Sequence, residues 1–253
     1  MPEGDAASGK KNDRGFRVSP GRPGSAGRAA ARARHERRLL ERIQERCLAV
    51  LVEACRYSSV PVAFLMALVA NESGGNSRAM RFEPAVYRHL KLLAEGKAAK
   101  YGELSRPSLS AEIAEMLQPK SETFHAAHLG DEFAAAHAAE IAAAEDEALR
   151  ELATSWGYTQ IMGYHMVGRA GTVRDLLEPQ FHFRVALELL AEFAERYQLN
   201  PTREFAEMFR CWNTGQPYGQ TTDPAYVEKG RARMEIFRAI GSSGDRVIGP
   251  LSH

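Results

Sequence analysis

A carboxylic acid can work as a proton donor near neutral pH only where its surroundings keep the proton on. Glu72 has such surroundings. It follows Pro61–Ala70, PVAFLMALVA, a run with no charged or hydrogen-bonding side chain, and it precedes Ser73-Gly74-Gly75. Leu, Met and Ala in a run of that length predict a helix rather than a strand. A helix apolar on all sides is expected to be buried. Glycines able to take positive φ then end it. Glu72 is therefore expected at the negative end of a helix dipole and at the rim of an apolar core, and both effects disfavour its ionised form. A protonated carboxyl of this kind is what glycoside cleavage asks of its general acid.

Such chemistry uses a second carboxylate, which orders a water or stabilises positive charge developing on the sugar. Glu83 is the candidate. Phe82-Glu83 stands directly before Pro84, a residue that favours the first helical turn. Other reactive side chains are thinly spread. His125 and His128 have no Cys or carboxylate cluster to complete a ligand set, so neither a metal nor a cofactor is expected. Cys47, Cys55 and Cys211 are too few and too scattered for a disulfide framework and are expected as buried thiols.

The elements that must position these residues read as helices. Residues 1–33 combine Gly, Ser, Pro, Ala and basic side chains with almost nothing large and apolar, which predicts a disordered basic tail. Its cations, Lys10, Lys11, Arg14, Arg17, Arg22, Arg28 and Arg32 among them, can contact an anionic polymer or simply be solvated. Residues 34–253 are expected to form the folded domain. Helices are predicted from about Ala33 to Tyr57, Pro84 to Glu95, Ser110 to Leu117, Asp131 to Leu152, Gln180 to Tyr197, Arg203 to Arg210 and Asp223 to Ile240. Thr202 is the expected cap of the sixth of these, and Cys211–Tyr218 the loop after it. No strand is predicted, so the fold class is all-α. The formal net charge of +1 gives no global pull toward nucleic acid or a membrane. No stretch reaches the roughly 20 apolar residues of a bilayer span, and the N-terminus lacks the apolar core of a standard secretory signal.

Several segments, in this order, resemble the lysozyme-like superfamily. Glu72-Ser73-Gly74 after an apolar helix is similar to the catalytic-glutamate motif of lytic transglycosylases, and Ser155-Trp-Gly-Tyr-Thr-Gln-Ile-Met-Gly163 to their second motif. Trp212-Asn213-Thr214-Gly215 stands where that family has Tyr-Asn and small residues. Asp223–Lys229 resembles its closing helix, whose tyrosine lies close to the acid. The long segment between the first two motifs, with Phe82-Glu83 inside it, is closer to the N-acetylmuramidase domain of phage endolysins. Thr159, Trp212 and Pro84-Ala85 depart from these patterns.

The resemblance implies a lysozyme-like helical domain with a helical insertion, acting on peptidoglycan glycan strands. It implies cleavage of the β-1,4 bond between N-acetylmuramic acid and N-acetylglucosamine, with Glu72 as general acid and Glu83 orienting water. Gln160 and Asn213 would serve the acyl groups, Tyr158, Trp212, Tyr218 and Tyr226 would line a groove, and Ser155 would join the substrate contacts. Trp156 is expected in the core. Such a substrate places the action at the cell wall or periplasm. The alternatives are a lytic transglycosylase, in which the muramic-acid C6 hydroxyl attacks and Glu72 is both acid and base, and a non-catalytic glycan-binding protein that keeps the fold.

Overall fold

The computed structural model describes residues 25–118 and 135–244. The expectations for residues 1–24, for His125 and His128, and for the start of the helix at Asp131 lie outside the described residues. The chain divides into two units, residues 1–35 and 36–253. In the first, the described part is the opening of a helix, α1 (Ser25–Cys55). This helix begins several residues before the predicted Ala33, because Ala26, Ala29, Ala30 and Ala31 with Arg28 and Arg32 are strong helix formers. The second unit, residues 36–253, contains the rest of α1 and every later element.

Leu40, Ile43, Cys47 and Leu51 recur along α1 at helical spacing and are buried. They share one core with α2 (Val62–Glu72), in which every residue from Ala63 to Ala70 is buried. The other walls of the core come from α6 (Pro179–Tyr197), α7 (Phe205–Thr214) and α8 (Tyr226–Gly244). Phe64 of α2 lies 4.4 Å, ring centre to ring centre, from Phe209 and 6.0 Å from Phe205. The closest packing of α8 is across α2. There Arg233 of α8 pairs with Glu36 of α1 (Nε to Oε2 2.8 Å), and its Nη1 donates to Asn71 Oδ1 at 2.7 Å. Asn71 Nδ2 in turn donates to the Tyr226 carbonyl at 3.1 Å, which fixes α8 against the residue preceding Glu72.

A second layer holds α3 (Pro84–Ala94), α4 (Arg106–Leu117) and α5 (Ala138–Leu152). The chain is mostly helical, as expected, but the absence of strands is corrected. Among the described residues there are five short strands: β1 (Met80–Phe82), β2 (Lys100–Tyr101), β3 (Leu104–Ser105), β4 (Thr154–Trp156) and β5 (Ile161–Met162). β1, β4 and β5 form an antiparallel sheet in the order β1-β4-β5, with Arg81 opposite Ser155 and Ser155 opposite Met162. β2 and β3 form a separate hairpin. Strands of two or three residues carry too little alternation to stand out in a sequence, and pairing between β1 and β4 joins segments far apart in the chain.

Other boundaries shift for local reasons. α4 starts at Arg106 because Ser105 and Ser108 form a reciprocal cap, Ser108 N–H to Ser105 Oγ at 3.3 Å and Ser105 N–H to Ser108 Oγ at 3.1 Å. α7 starts at Phe205 after Glu204 rather than under a Thr202 cap, and it continues through Trp212, Asn213 and Thr214. It stops at Gly215, which has φ +79° and donates its N–H to the Cys211 carbonyl at 2.8 Å. Cys47, Cys55 and Cys211 are free and buried, as expected.

Candidate active site

Glu72 is the last residue of α2, and the turn after it is tied down by Ser73. The Ser73 hydroxyl donates to the Tyr158 carbonyl at 2.7 Å and accepts from the Gly75 N–H at 3.2 Å. This contact joins the end of the apolar helix to the β4–β5 turn. Gly74 and Gly75 take φ of +60° and +87°, the conformation expected of them. A Cβ on Gly75 would lie 2.7 Å from Ile43 of α1, so the turn packs too closely for any other residue.

The carboxyl of Glu72 opens into a groove of about 920 Å³ that also takes in Arg81, Glu83, Trp212 and Asn213. Burial is the largest influence on it and raises its pKa above the usual carboxylate range. Two groups oppose that shift, the Tyr226 hydroxyl, which donates a short hydrogen bond to Glu72 Oε1, and the Arg81 guanidinium. Tyr226 is itself buried, with its ring edge-on to Phe209. Burial first, and then the Glu72 charge, hold its hydroxyl well above the normal tyrosine range, so it stays a donor.

Glu83 lies on the same groove, at the end of β1 and before α3. Its N–H donates to the Ala153 carbonyl at 2.9 Å, and its carboxylate receives Arg81 Nε at 2.5 Å. Arg81 therefore belongs to both acids, paired with one and acting electrostatically on the other. Sequence reasoning missed it. Alternate residues of a strand share a face, so Arg81 and Glu83, two apart, were a readable pair once β1 was known.

The remaining expected contacts divide. Trp212 and Asn213 line the groove, with Trp212 Nε1 donating to the Thr159 carbonyl at 2.9 Å. Asn213 is exposed there, and among the described residues its amide makes no hydrogen bond. Gln160 borders the groove, but its amide hydrogens go to the Ala79 carbonyl (3.1 Å) and the Gly157 carbonyl (2.9 Å). Its Oε1 accepts from the buried Ser155 hydroxyl at 2.8 Å. Ser155 and Gln160 both line the groove, and these bonds also brace the β1–β4–β5 sheet. Gln160 holds φ +54° to make these bonds.

Tyr158 is not among the residues that line the groove. It is buried, stacked on Phe183 with ring centres 5.2 Å apart. Tyr218 is 85% exposed and outside the groove. Trp156 is in the core as expected, its Nε1 donating to the Glu151 carbonyl at 3.1 Å.

The same turn explains Thr159. Its N–H donates to His182 Nε2 at 2.9 Å, so that nitrogen is the acceptor and Nδ1 carries the hydrogen given to the Leu176 carbonyl at 2.8 Å. The ring is fully buried, and burial lowers its pKa to about 4, keeping it neutral. Gly157, at φ +70°, leaves room for it, since a Cβ there would sit 2.5 Å from the Leu176 carbonyl oxygen and 2.6 Å from His182 Nδ1.

Among the described residues no group of three or more His, Cys, Asp or Glu side chains is placed to hold a metal ion, and no helix is long and apolar enough to cross a membrane. Comparison of the chain with protein-family models, with curated proteins and with solved structures finds no match.

Proposed function

We propose that this protein cleaves the β-1,4 bond between N-acetylmuramic acid and N-acetylglucosamine in peptidoglycan, by hydrolysis. The observation that carries the reading is Glu72: a carboxyl whose pKa is raised by burial, opening from the end of an apolar helix into a groove that holds a second glutamate. A proton donor needs to keep its proton until the bridging oxygen is in place, and then needs help as it becomes a carboxylate. Burial supplies the first and the Tyr226 hydroxyl the second.

In the proposed reaction Glu72 gives its proton to the glycosidic oxygen as the bond from that oxygen to the sugar C1 breaks. Positive charge grows on the ring. A water molecule attacks C1 and loses a proton to Glu83; Glu83 then gives that proton to solvent and Glu72 takes one back. Arg81 holds the Glu83 carboxylate in place at the groove through its Nε–H. Trp212 offers an apolar face to a pyranose ring and Asn213 an amide to an acyl group.

Glu83 also favours hydrolysis over attack by the muramic-acid C6 hydroxyl, because intramolecular attack needs no second carboxylate. The test is mass spectrometry of the fragments released from purified sacculi. Hydrolysis yields reducing muramic-acid ends, whereas 1,6-anhydro ends, lighter by one water, would show transglycosylation. Release of neither would leave a glycan-binding protein.

A further inference from the structure

The groove continues past the two glutamates into an arm that the acid–base chemistry does not use. It is lined by Tyr101 and Leu104 of the β2–β3 hairpin, by Phe193 of α6 and by Tyr164. Tyr101 is held flat against His89, ring centres 5.3 Å apart, and meets the edge of Tyr164 at 5.4 Å. Fixed aromatic faces of this kind suit the apolar face of a sugar ring.

Charged groups face the arm as well, and they are not equivalent. Arg169 is fully engaged, with Glu188 at 2.9 Å, with Glu192 and with the His165 carbonyl at 2.8 Å. Arg196, in the last turn of α6, is not. Its Nη1 lies 3.5 Å from Glu103 of the hairpin, and among the described residues its guanidinium makes no hydrogen bond. The two side chains are 44% and 80% exposed, and an ion pair that open contributes little to stability. An incoming carboxylate can displace Glu103 at small cost and gain the two parallel hydrogen bonds that Glu103 does not make. His165 beside it is held neutral, with a pKa lowered to about 4 by burial and by Arg169 and Arg196, so Arg196 supplies the available positive charge.

We infer that this arm binds an N-acylated hexosamine carrying a carboxylate, with the sugar ring against Tyr101 and Tyr164 and the carboxylate on Arg196. The inference rests on the glycan-cleaving reading of the groove and adds a choice among glycans to it. A strand of N-acetylglucosamine alone has no such group. A muramyl residue has one on its lactyl ether when unsubstituted, and others along an attached peptide.

The test measures binding calorimetrically to protein bearing Glu72→Gln, which blocks turnover, with Arg196 intact or replaced by Gln. The ligands are an N-acetylglucosamine tetramer, a peptide-free muramyl-glucosaminyl tetramer and its peptide-bearing form. Arg196→Gln is expected to weaken the carboxylate-bearing ligands by about ten- to a hundredfold and to leave the neutral tetramer and the melting temperature unchanged. Loss with both muramyl ligands assigns the lactyl carboxylate or its acyl position, and loss with the peptide form alone assigns the peptide. Equal losses on all three ligands, no loss on any, or no binding of any ligand by the Arg196 protein overturns the site. Clearing of purified cell walls by the unmutated protein, run in parallel, keeps the cases apart. Clearing without Arg196 dependence rejects this site alone, and no clearing rejects the enzymatic reading beneath it.

Discussion

Removing the phenolic oxygen of Tyr226 takes away the one hydrogen-bond donor to the Glu72 carboxyl among the described residues. In Tyr226→Phe the ring still packs against Phe209, and the Tyr226 carbonyl still accepts from Asn71, so the fold should persist. The lost contact is a hydrogen bond to a group that becomes charged as its proton leaves. Such bonds are worth about 1.5–3 kcal/mol, and about 1.4 kcal/mol on a barrier is tenfold in rate. The expected loss in kcat is therefore about ten- to a hundredfold. KM should hardly move, because Tyr226 is buried behind Glu72 and does not line the groove. The pH profile supplies an independent sign. A general acid works while protonated, so activity falls as pH rises through its pKa, and the Tyr226 hydrogen bond lowers that pKa. Without it the alkaline limb should move to higher pH. Steady-state kinetics on a soluble glycan fragment across pH reads both effects. A raised KM with unchanged kcat, or a limb that moves down, would refute the claim that Tyr226 acts on the proton of Glu72.

Three further outcomes rest on the same geometry. Because the pKa of Glu72 is raised in the fold above its ordinary 4.5, this carboxyl's contribution to stability should be fullest below that value and decline as pH rises through the folded one. Glu72→Gln should remove the decline, so the gap in melting temperature between variant and wild type should widen with pH, and a gap independent of pH would contradict the burial of this carboxyl. Gly157→Ala forces a Cβ into the Leu176 carbonyl and His182 at a backbone conformation that disfavours alanine, and urea denaturation should show a loss of at least about 3 kcal/mol. Ser73→Ala unties α2 from the Tyr158 carbonyl. It should cost about 1 kcal/mol in stability and lower kcat more than it raises KM, since it loosens the acid rather than the sugar contacts.

How much could be read from the sequence depends on the range of the interactions involved. The burial of α2 and the exceptional position of Glu72 were legible because ten residues without a polar side chain leave few alternatives, and the paired glycines mark where the run must stop. Glu83 was legible through its place before Pro84. The roles of Ser155 and Gln160 were not, because a Gln at positive φ bonding to Ala79 and Gly157 depends on a sheet that joins β1 to β4 across the intervening helices. The burial of Tyr158 was not legible because Gly157 reverses the chain immediately before it, and adjacent residues in a tight turn need not share an environment. Trp212 to Thr214 read as loop because Asn and Thr are common in turns, but the stop comes from Gly215 at its positive φ. Thr159 read as a departure until its partner, the buried His182, was in view.

The measurement that bears most directly on the account is the clearing of purified peptidoglycan by wild-type protein and by Glu72→Gln, followed by turbidity at equal protein concentration and with matched circular dichroism spectra. Loss of a general acid costs about a hundredfold or more in rate, so wild type should clear the suspension while the variant leaves it turbid, even though it still sediments with the walls. Equal clearing by both proteins, or no clearing by wild type, would contradict the assignment of Glu72 as the acid that cuts the glycan.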